Sequence, residues 1–425
     1  MMIRRQLTIR HRGIARQRDS TRRGSMALAA MLSLLVIIGG VAVALDRLWL
    51  DSAKTELEAA VEAAALRGGR FLASDDLLRL DADIDARLEL ARQEAGKIAS
   101  ENRIAGEPVQ LNLAPEGDIR FGRLVHRDRT DKDIFIETTD RPTSVVVRGL
   151  HSRSRNNPVA TFLNSVSGNE GADVSALSEV SIDNRVVGLQ PLAGVPIPAL
   201  PLAILRESKD GSRESWKSQI DDRQGADQYG FDELTGKVTS GPDGIPEIRL
   251  RSAVRRGDPQ KANVHLFDVN GSATFKELLS HVQNGWGESD MPRHLPELKF
   301  DLGPHEFETV SGISGPLPDA LRTLIGECRI LFLYDDFVPT GRSGAGRIQV
   351  TQVVAGRVLA IEVPGDGSCE LIIQPGVMTT RTALLAAKAG GSESGRRGRG
   401  KPNNVDSKEA RQLGNRYIYK LQITN

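Results

Sequence analysis

An uninterrupted apolar stretch near the start of the chain is the strongest feature of the hydrophobic pattern. Residues 24–45 contain no charged side chain. A helix rises about 1.5 Å per residue, so about 20 apolar residues cross the roughly 30 Å hydrocarbon layer of a bilayer. We therefore predict a transmembrane helix over residues 25–45. Its membrane-anchoring side chains include Met26, Leu32, Leu35, Ile38 and Leu45.

The pattern becomes amphipathic beyond residue 45. Residues 46–66 lack Gly and Pro, and small or apolar side chains recur there at steps of three and four. We predict that the helix continues as a stalk and ends at Gly68 and Gly69. Leu57, Ala60 and Ala64 form a stripe that would let another helix approach closely. The high helix propensity of alanine explains the same stripe without a packing partner.

A second helix is predicted over residues 74–102, with Ser74 as its N-cap and Asp75 and Asp76 in its first turn. After Pro108 the chain changes to short strand-like runs separated by turns. The predicted strands are 109–113, 119–124, 134–138, 144–148, 174–182, 185–189, 248–250, 329–334, 348–354, 358–363, 369–374 and 416–423. Four prolines between residues 191 and 201 argue against a central strand there. A short helix is predicted over residues 274–282.

These patterns predict an α+β protein: a single N-terminal transmembrane helix that continues into an amphipathic helix, followed by mostly-β extracytoplasmic domains. A chain of 425 residues is too long for one compact domain. We predict a basic cytoplasmic arm (1–24), the span (25–45), a helical stalk (46–106), a β-rich domain (107–206), a mixed α/β region (207–327) and a β-rich C-terminal domain (328–425) with a disordered loop (390–406).

Charge orients the span. Residues 1–24 hold eight arginines and one acid, whereas the whole chain has a net charge of only +1. Arg22 and Arg23 directly precede the apolar stretch, so the positive-inside rule places the N-terminus in the cytoplasm and the bulk of the chain outside. This predicts a single-pass protein of the cytoplasmic (inner) membrane. The alternatives are a signal peptide cleaved after Ala42-Val43-Ala44, a twin-arginine export signal and a buried core helix.

The anchor segment resembles a known family. The residues that carry the likeness are Arg-Arg-Gly-Ser at 22–25, Asp-Arg-Leu at 46–48, Leu-Glu-Ala-Ala at 57–60 and Ala-Ala-Ala-Leu at 63–66. This segment resembles the N-terminus of the TadE/TadG-like family of the tight-adherence (Flp) pilus system, although Glu58 and Glu62 depart from it. A weaker TadG-like resemblance follows downstream at 118–124, 145–147, 172–181, 326–334 and 371–375.

The resemblance implies a membrane-anchored structural or assembly component of a bacterial pilus. Its partners would be pilus assembly proteins or pilus subunits, together with the cytoplasmic membrane. A membrane-tethered binding or adhesion protein without a pilus role is the main alternative. A tethered hydrolase is a third possibility.

The sequence contains fragments of metal-binding and catalytic motifs, and each of them lacks a required residue. Asp81, Asp83 and Asp85 alternate as at the start of a calcium loop, but the required Gly and bidentate Glu do not follow. His305 begins a zinc-protease-like run in which Thr309 replaces the second His. We therefore predict no catalytic, cofactor-binding or metal-binding residue, no small-molecule substrate, no nucleic-acid partner and no enzymatic activity.

The two cysteines, Cys328 and Cys369, each stand near the start of a predicted strand on the exported side. An oxidising compartment permits a disulfide between them. Two buried free thiols are the alternative.

Overall fold

The computed structural model describes residues 20–127, 132–162, 171–253, 261–271, 274–310, 312–340, 345–364, 368–386 and 414–424. Most of the predicted basic arm and the predicted disordered loop at 390–406 lie outside these ranges. The chain forms two compact units. The first comprises Met1–Ala59, Arg103–Glu107 and Leu150–Ala176, and the second comprises Ala60–Asn102, Pro108–Gly149 and Leu177–Asn425.

One continuous helix, α1 (Ser20–Leu72), includes both the predicted span and the predicted stalk. The prediction that the helix ends at Gly68 and Gly69 is wrong, because it continues to Leu72. Gly69 instead lies at a close contact, whereas Gly68 has neighbours at ordinary van der Waals distance. A Cβ at Gly68 would lie 3.6 Å from side-chain atoms of Ala95 and Val145, and a Cβ at Gly69 would lie 2.8 Å from Val180. Helix packing therefore explains Gly69, whereas a Cβ would fit at Gly68.

The second helix begins ten residues later than predicted. A 3-10 turn (Asp75–Leu78) comes first, and α2 (Ile84–Glu101) follows it. Asp83 is the N-cap, since its carboxylate accepts a hydrogen bond from the Ala86 backbone N–H at 3.0 Å. Ser74 makes no side-chain capping bond. Asp75 is buried and bonds to residues far along the chain, so it does not serve a helix start.

A six-stranded sheet follows α2 in the chain. Its strand order is β18-β20-β6-β5-β3-β4. The strands are β3 (Ile119–Arg127), β4 (Lys132–Glu137), β5 (Ser144–His151), β6 (Val174–Asp183), β18 (Met378–Thr379) and β20 (Ile418–Ile423). The C-terminal strand pairs antiparallel with β6, with Lys420 opposite Asp183. Apolar residues from α1, α2 and this sheet, including Ala64, Ala95 and Val180, are fully buried.

A seven-stranded sheet closes on itself. Its order is β11-β17-β16-β14-β12-β8-β15, and β15 also pairs with β16, so five strands form a ring. The strands are β8 (Ala199–Leu205), β11 (Ile248–Arg251), β12 (Val264–Asp268), β14 (His305–Val310), β15 (Cys328–Pro339), β16 (Gly346–Glu362) and β17 (Glu370–Pro375). The strands of this one sheet come from all three of the predicted regions 107–206, 207–327 and 328–425. Phe267 contacts Phe307 and Phe332 with ring centroids 5.0 and 5.2 Å apart.

Strand β8 corrects the interpretation of the proline-rich segment. It includes Pro201 and lies between β12 and β15 in the sheet. The β8–β15 register shifts between the pairs Ala199–Ile330 and Ala203–Phe332, and Pro201 falls within this shift. An irregularity of this kind accommodates a residue that has no backbone N–H to donate.

The remaining elements are short. The strands are β1 (Arg103–Ile104), β2 (Glu107–Pro108), β7 (Val186–Leu189), β9 (Tyr229–Asp232), β10 (Lys237–Ser240), β13 (Leu298–Lys299) and β19 (Ala383–Leu385). The helices are α3 (Phe275–Asn284) and α4 (Leu317–Arg322), with single turns at Arg153–Arg155, Lys217–Asp221 and Glu288–Asp290. The strand predicted at 109–113 is absent. The two predicted at 348–354 and 358–363 form the single strand β16.

Candidate functional site

The predicted anchor residues lie on the exposed part of α1. Met26, Leu32, Leu35, Ile38 and Leu45 are between 48% and 73% exposed. This helix is long and apolar enough to cross a membrane, with a mean hydropathy of 2.7 over its most apolar window, none of which is buried. Arg22 and Arg23 belong to the first turns of the same helix, but their side chains lie outside the described part of the structure.

The predicted packing stripe of α1 is buried within the fold. Leu57, Ala60 and Ala64 are fully buried, whereas the adjacent Ala59 is exposed. Ala60 and Ala64 belong to the second unit together with α2 and the two large sheets. In this structure the stripe is therefore not available to a helix of another protein, and the close approach that its small side chains permit is used within the chain.

The two cysteines are both free thiols. Cys328 pairs across β15 and β16 with Arg357, which in turn pairs with Gln374 on β17, five residues beyond Cys369. Strand spacings of about 4.8 Å and rises of about 3.4 Å per residue separate the two cysteines by about 10 Å across the sheet and about 17 Å along it. A disulfide tolerates at most about 7 Å between Cα atoms, so these strands hold the thiols apart.

A cavity of about 560 Å³ lies within the second unit, next to the C-terminal turn of α1. Its wall includes Arg67, Arg70, Phe231, Cys328 and Arg357. The end of α1, the β9–β10 hairpin, the start of β15 and the middle of β16 supply these side chains. None of them stands out in the sequence, because the residues that meet here are up to about 300 positions apart.

Arg357 is the best-buried cation of this cavity. Its Nη2 donates to Asp75 Oδ2 at 2.7 Å, and its Nη1 donates to the Gly326 carbonyl oxygen at 2.7 Å. The guanidinium carbon lies 3.3 Å from the centroid of the Phe231 ring. Asp75 Oδ1 accepts a further hydrogen bond from the Val377 backbone N–H at 2.6 Å. The pair therefore connects the segment after α1 to the seven-stranded sheet.

The electrostatics of the cavity do not favour a nucleophile. Burial raises the pKa of the Cys328 thiol to about 12, against the opposing effect of Arg357. Burial also raises the pKa of the Glu233 carboxyl, although its side chain accepts a hydrogen bond from the Asp75 backbone N–H. Arg67 forms an ion pair with Glu94. The Cys328 thiol therefore stays protonated. Arg67 is paired with Glu94 and Arg357 with Asp75, so both arginines connect segments of the chain to one another.

The incomplete motifs do not become sites in three dimensions. Asp83 caps α2 instead of pointing to a shared ion with Asp81 and Asp85. His305 Nε2 lies 2.8 Å from the Lys299 carbonyl oxygen, within the fold. Over the described ranges, no three His, Cys, Asp or Glu side chains are grouped closely enough to hold a metal ion.

Comparison of the chain with protein-family models, with curated proteins and with solved structures finds no match. The structure itself defines the class: a mixed α+β protein with one long, apolar N-terminal helix and a β-rich remainder.

Proposed function

We propose that this protein is a TadG-like, membrane-anchored structural or assembly component of a bacterial tight-adherence pilus. The apolar part of α1 would anchor it in the cytoplasmic membrane as a single-pass protein, and the β-rich units would lie outside the cytoplasm. Pilus assembly proteins or pilus subunits would contact those units. No catalytic step, cofactor or metal belongs to this proposal.

The observation that carries the proposal is the continuity of α1. A single helix has exposed apolar side chains from Met26 to Leu45 and fully buried ones at Ala60 and Ala64. Exposed apolar surface of this extent is unfavourable in water and is accommodated by lipid. Because no loop interrupts the helix, a force on the β-rich region would be transmitted directly to the anchor. The pilus role itself rests on the resemblance of residues 22–70.

Topology is the first test. A reporter enzyme that is active only outside the cytoplasm, fused at Gly391, should be active in intact cells. The matched fusion should carry Leu35→Arg and Ile38→Arg, two charges within the span, and should lose membrane association. Activity of a cytoplasmic reporter at Gly391 would reverse the proposed orientation. A mature N-terminus just after Ala44 would show that the helix is a cleaved signal.

Piliation is the second test. Surface pili would be counted by electron microscopy in a strain that lacks the gene, with the wild-type chain or the span variant reintroduced. The wild-type chain should restore pili, and the span variant should not. Ala59→Arg, an exposed site, should also restore them, whereas Ala60→Arg should remove the protein by disrupting its own fold. Normal piliation without the gene would contradict the pilus role and leave a tethered binding or adhesion protein as the better interpretation.

A further inference from the structure

A small aromatic patch lies on the first unit, just beyond the apolar span. Trp49 contacts Phe162 edge to face, with ring centroids 6.4 Å apart. The Trp49 indole N–H donates to the Ala160 carbonyl oxygen at 3.0 Å, and the Phe162 backbone N–H donates to the Asp46 carboxylate. These hydrogen bonds hold residues 160–162 against α1, although more than 100 positions separate them in the sequence.

The patch continues the apolar face of the helix. Leu48 is 66% exposed, Phe162 is 63% exposed and Trp49 is 38% exposed. Leu48 and Trp49 come three and four residues after Leu45, so both are its neighbours on one side of α1. The indole N–H is already paired with the Ala160 carbonyl oxygen, so contact of Trp49 with lipid would leave no donor of its ring unpaired. The exposed surface thus extends from the helix onto residues 160–162.

The height of the patch fits the membrane–water interface. Trp49 comes four residues after Leu45, which corresponds to about 6 Å along a helix. A bilayer about 40–45 Å thick has a hydrocarbon core of about 30 Å, which leaves about 5–7.5 Å of headgroup region on each side. Tryptophan is enriched in this layer because its ring has an apolar body and a polar edge.

We propose that Leu48, Trp49 and Phe162 form a second lipid contact, in which residues 160–162 lie in the headgroup layer of the outer leaflet. This inference rests on the proposed membrane anchoring of α1. It adds that a segment distant in sequence also contacts phospholipid and limits the tilt and depth of the helix. Phospholipid is the occupant that the structure favours, because the patch is continuous with the face that the span presents to lipid.

Tryptophan fluorescence can test this contact in the full chain. Of the three tryptophans, Trp216 and Trp286 are fully buried, so Trp49 is the one that lipid or water can reach. The protein would be placed in phosphatidylcholine vesicles whose acyl chains carry bromine either near the headgroup or near the methyl end. We expect stronger quenching by the shallow bromine, no such quenching in Trp49→Phe, and little quenching by iodide in water.

Variants separate the patch from the fold. Phe162→Asp should increase the iodide quenching of Trp49 and decrease its quenching by bromine. Leu302→Asp is the matched control, because Leu302 is 80% exposed and belongs to the other unit. It should leave both values unchanged. The emission of the buried Trp216 and Trp286 shows in each variant whether the fold is intact.

Extraction with alkaline carbonate tests the membrane anchoring of α1 separately from the lipid contact of Leu48, Trp49 and Phe162. Release of the protein from the vesicles would contradict the anchor itself. A protein that stays in the membrane while its Trp49 is quenched by iodide and not by bromine would overturn the lipid contact alone. Trp49 shielded from both quenchers would mean that protein covers the patch, and this result would also overturn the lipid assignment.

Discussion

Asp75 and Arg357 form a buried ion pair although they are 282 positions apart in the sequence. Only 6% of the Asp75 side chain and 8% of the Arg357 side chain are exposed. Two charges removed from water in this way require mutual neutralisation and further hydrogen bonds. Gly326 and Val377 supply those bonds through their backbone groups. The pair fixes the chain immediately after α1 to strand β16.

Asp75→Asn should destabilise the protein by about 3–5 kcal/mol, because it leaves the Arg357 charge buried without a counter-charge. Urea unfolding of the full chain in detergent, followed by circular dichroism, measures the change. Asp76→Asn is the matched control. Asp76 pairs with Arg79, and both side chains are about 30% exposed, so that change should cost about 0–1 kcal/mol. Equal effects of the two substitutions would contradict the structural role of the buried pair.

His265 should make stability depend on pH. Its ring stacks on Phe337 at 4.2 Å, and burial, with a smaller contribution from the Arg213 charge, lowers the pKa of His265 from 6.5 to about 4. The unfolded chain therefore binds a proton at higher pH than the folded chain does. Stability should fall as pH decreases from about 6.5 to about 4, by up to about 3 kcal/mol from this residue.

The measurement is a series of urea unfolding curves across that pH range for the wild type and for His265→Phe. The variant has no ionisable ring, so its stability should fall less steeply below pH 6.5 than that of the wild type. Parallel pH profiles for the two proteins would show that His265 does not contribute.

Gly68 and Gly69, near the end of α1, offer a test of helix packing. A Cβ at Gly69 would lie 2.8 Å from Val180 and 3.2 Å from Leu421. Gly69→Ala should therefore destabilise the protein by about 1–3 kcal/mol through overpacking. A Cβ at Gly68 has its nearest contacts at 3.6 Å, so Gly68→Ala should be neutral or stabilise the helix by up to about 1 kcal/mol. Thermal unfolding midpoints of both variants decide this, and the reverse order would refute the packing described.

The cysteines should behave as free thiols. Burial raises the pKa of Cys369 to about 11 and that of Cys328 to about 12. Because the thiolate is the reactive form, both should alkylate slowly in the folded protein. Both should alkylate fully in denaturant without a reductant. Mass spectrometry of protein isolated from the cell envelope would show two added groups, and an unmodified pair under denaturing conditions would instead indicate a disulfide.

Local patterns in the sequence were sufficient to predict much of the secondary structure. The uncharged stretch at 24–45 and the helix formers after it predicted one long helix. Short strand-like runs separated by turns predicted β3, β5, β6, β11 and β17 close to their observed bounds. Hydrophobic periodicity and helix propensity act over a few residues, so these signals can be read without the fold.

Other features depended on contacts between distant segments. Gly68 and Gly69 have the local signature of a helix end, but the helix continues through both, and Gly69 packs closely against Val180 and Leu421 from other elements. Pro201 disfavours a central strand locally, yet an irregular register includes it in β8. The Asp75–Arg357 pair and the Trp49–Phe162 contact each join residues more than 100 positions apart. Only the tertiary structure decides such pairings, because charge, burial and close approach depend on which chain segments meet.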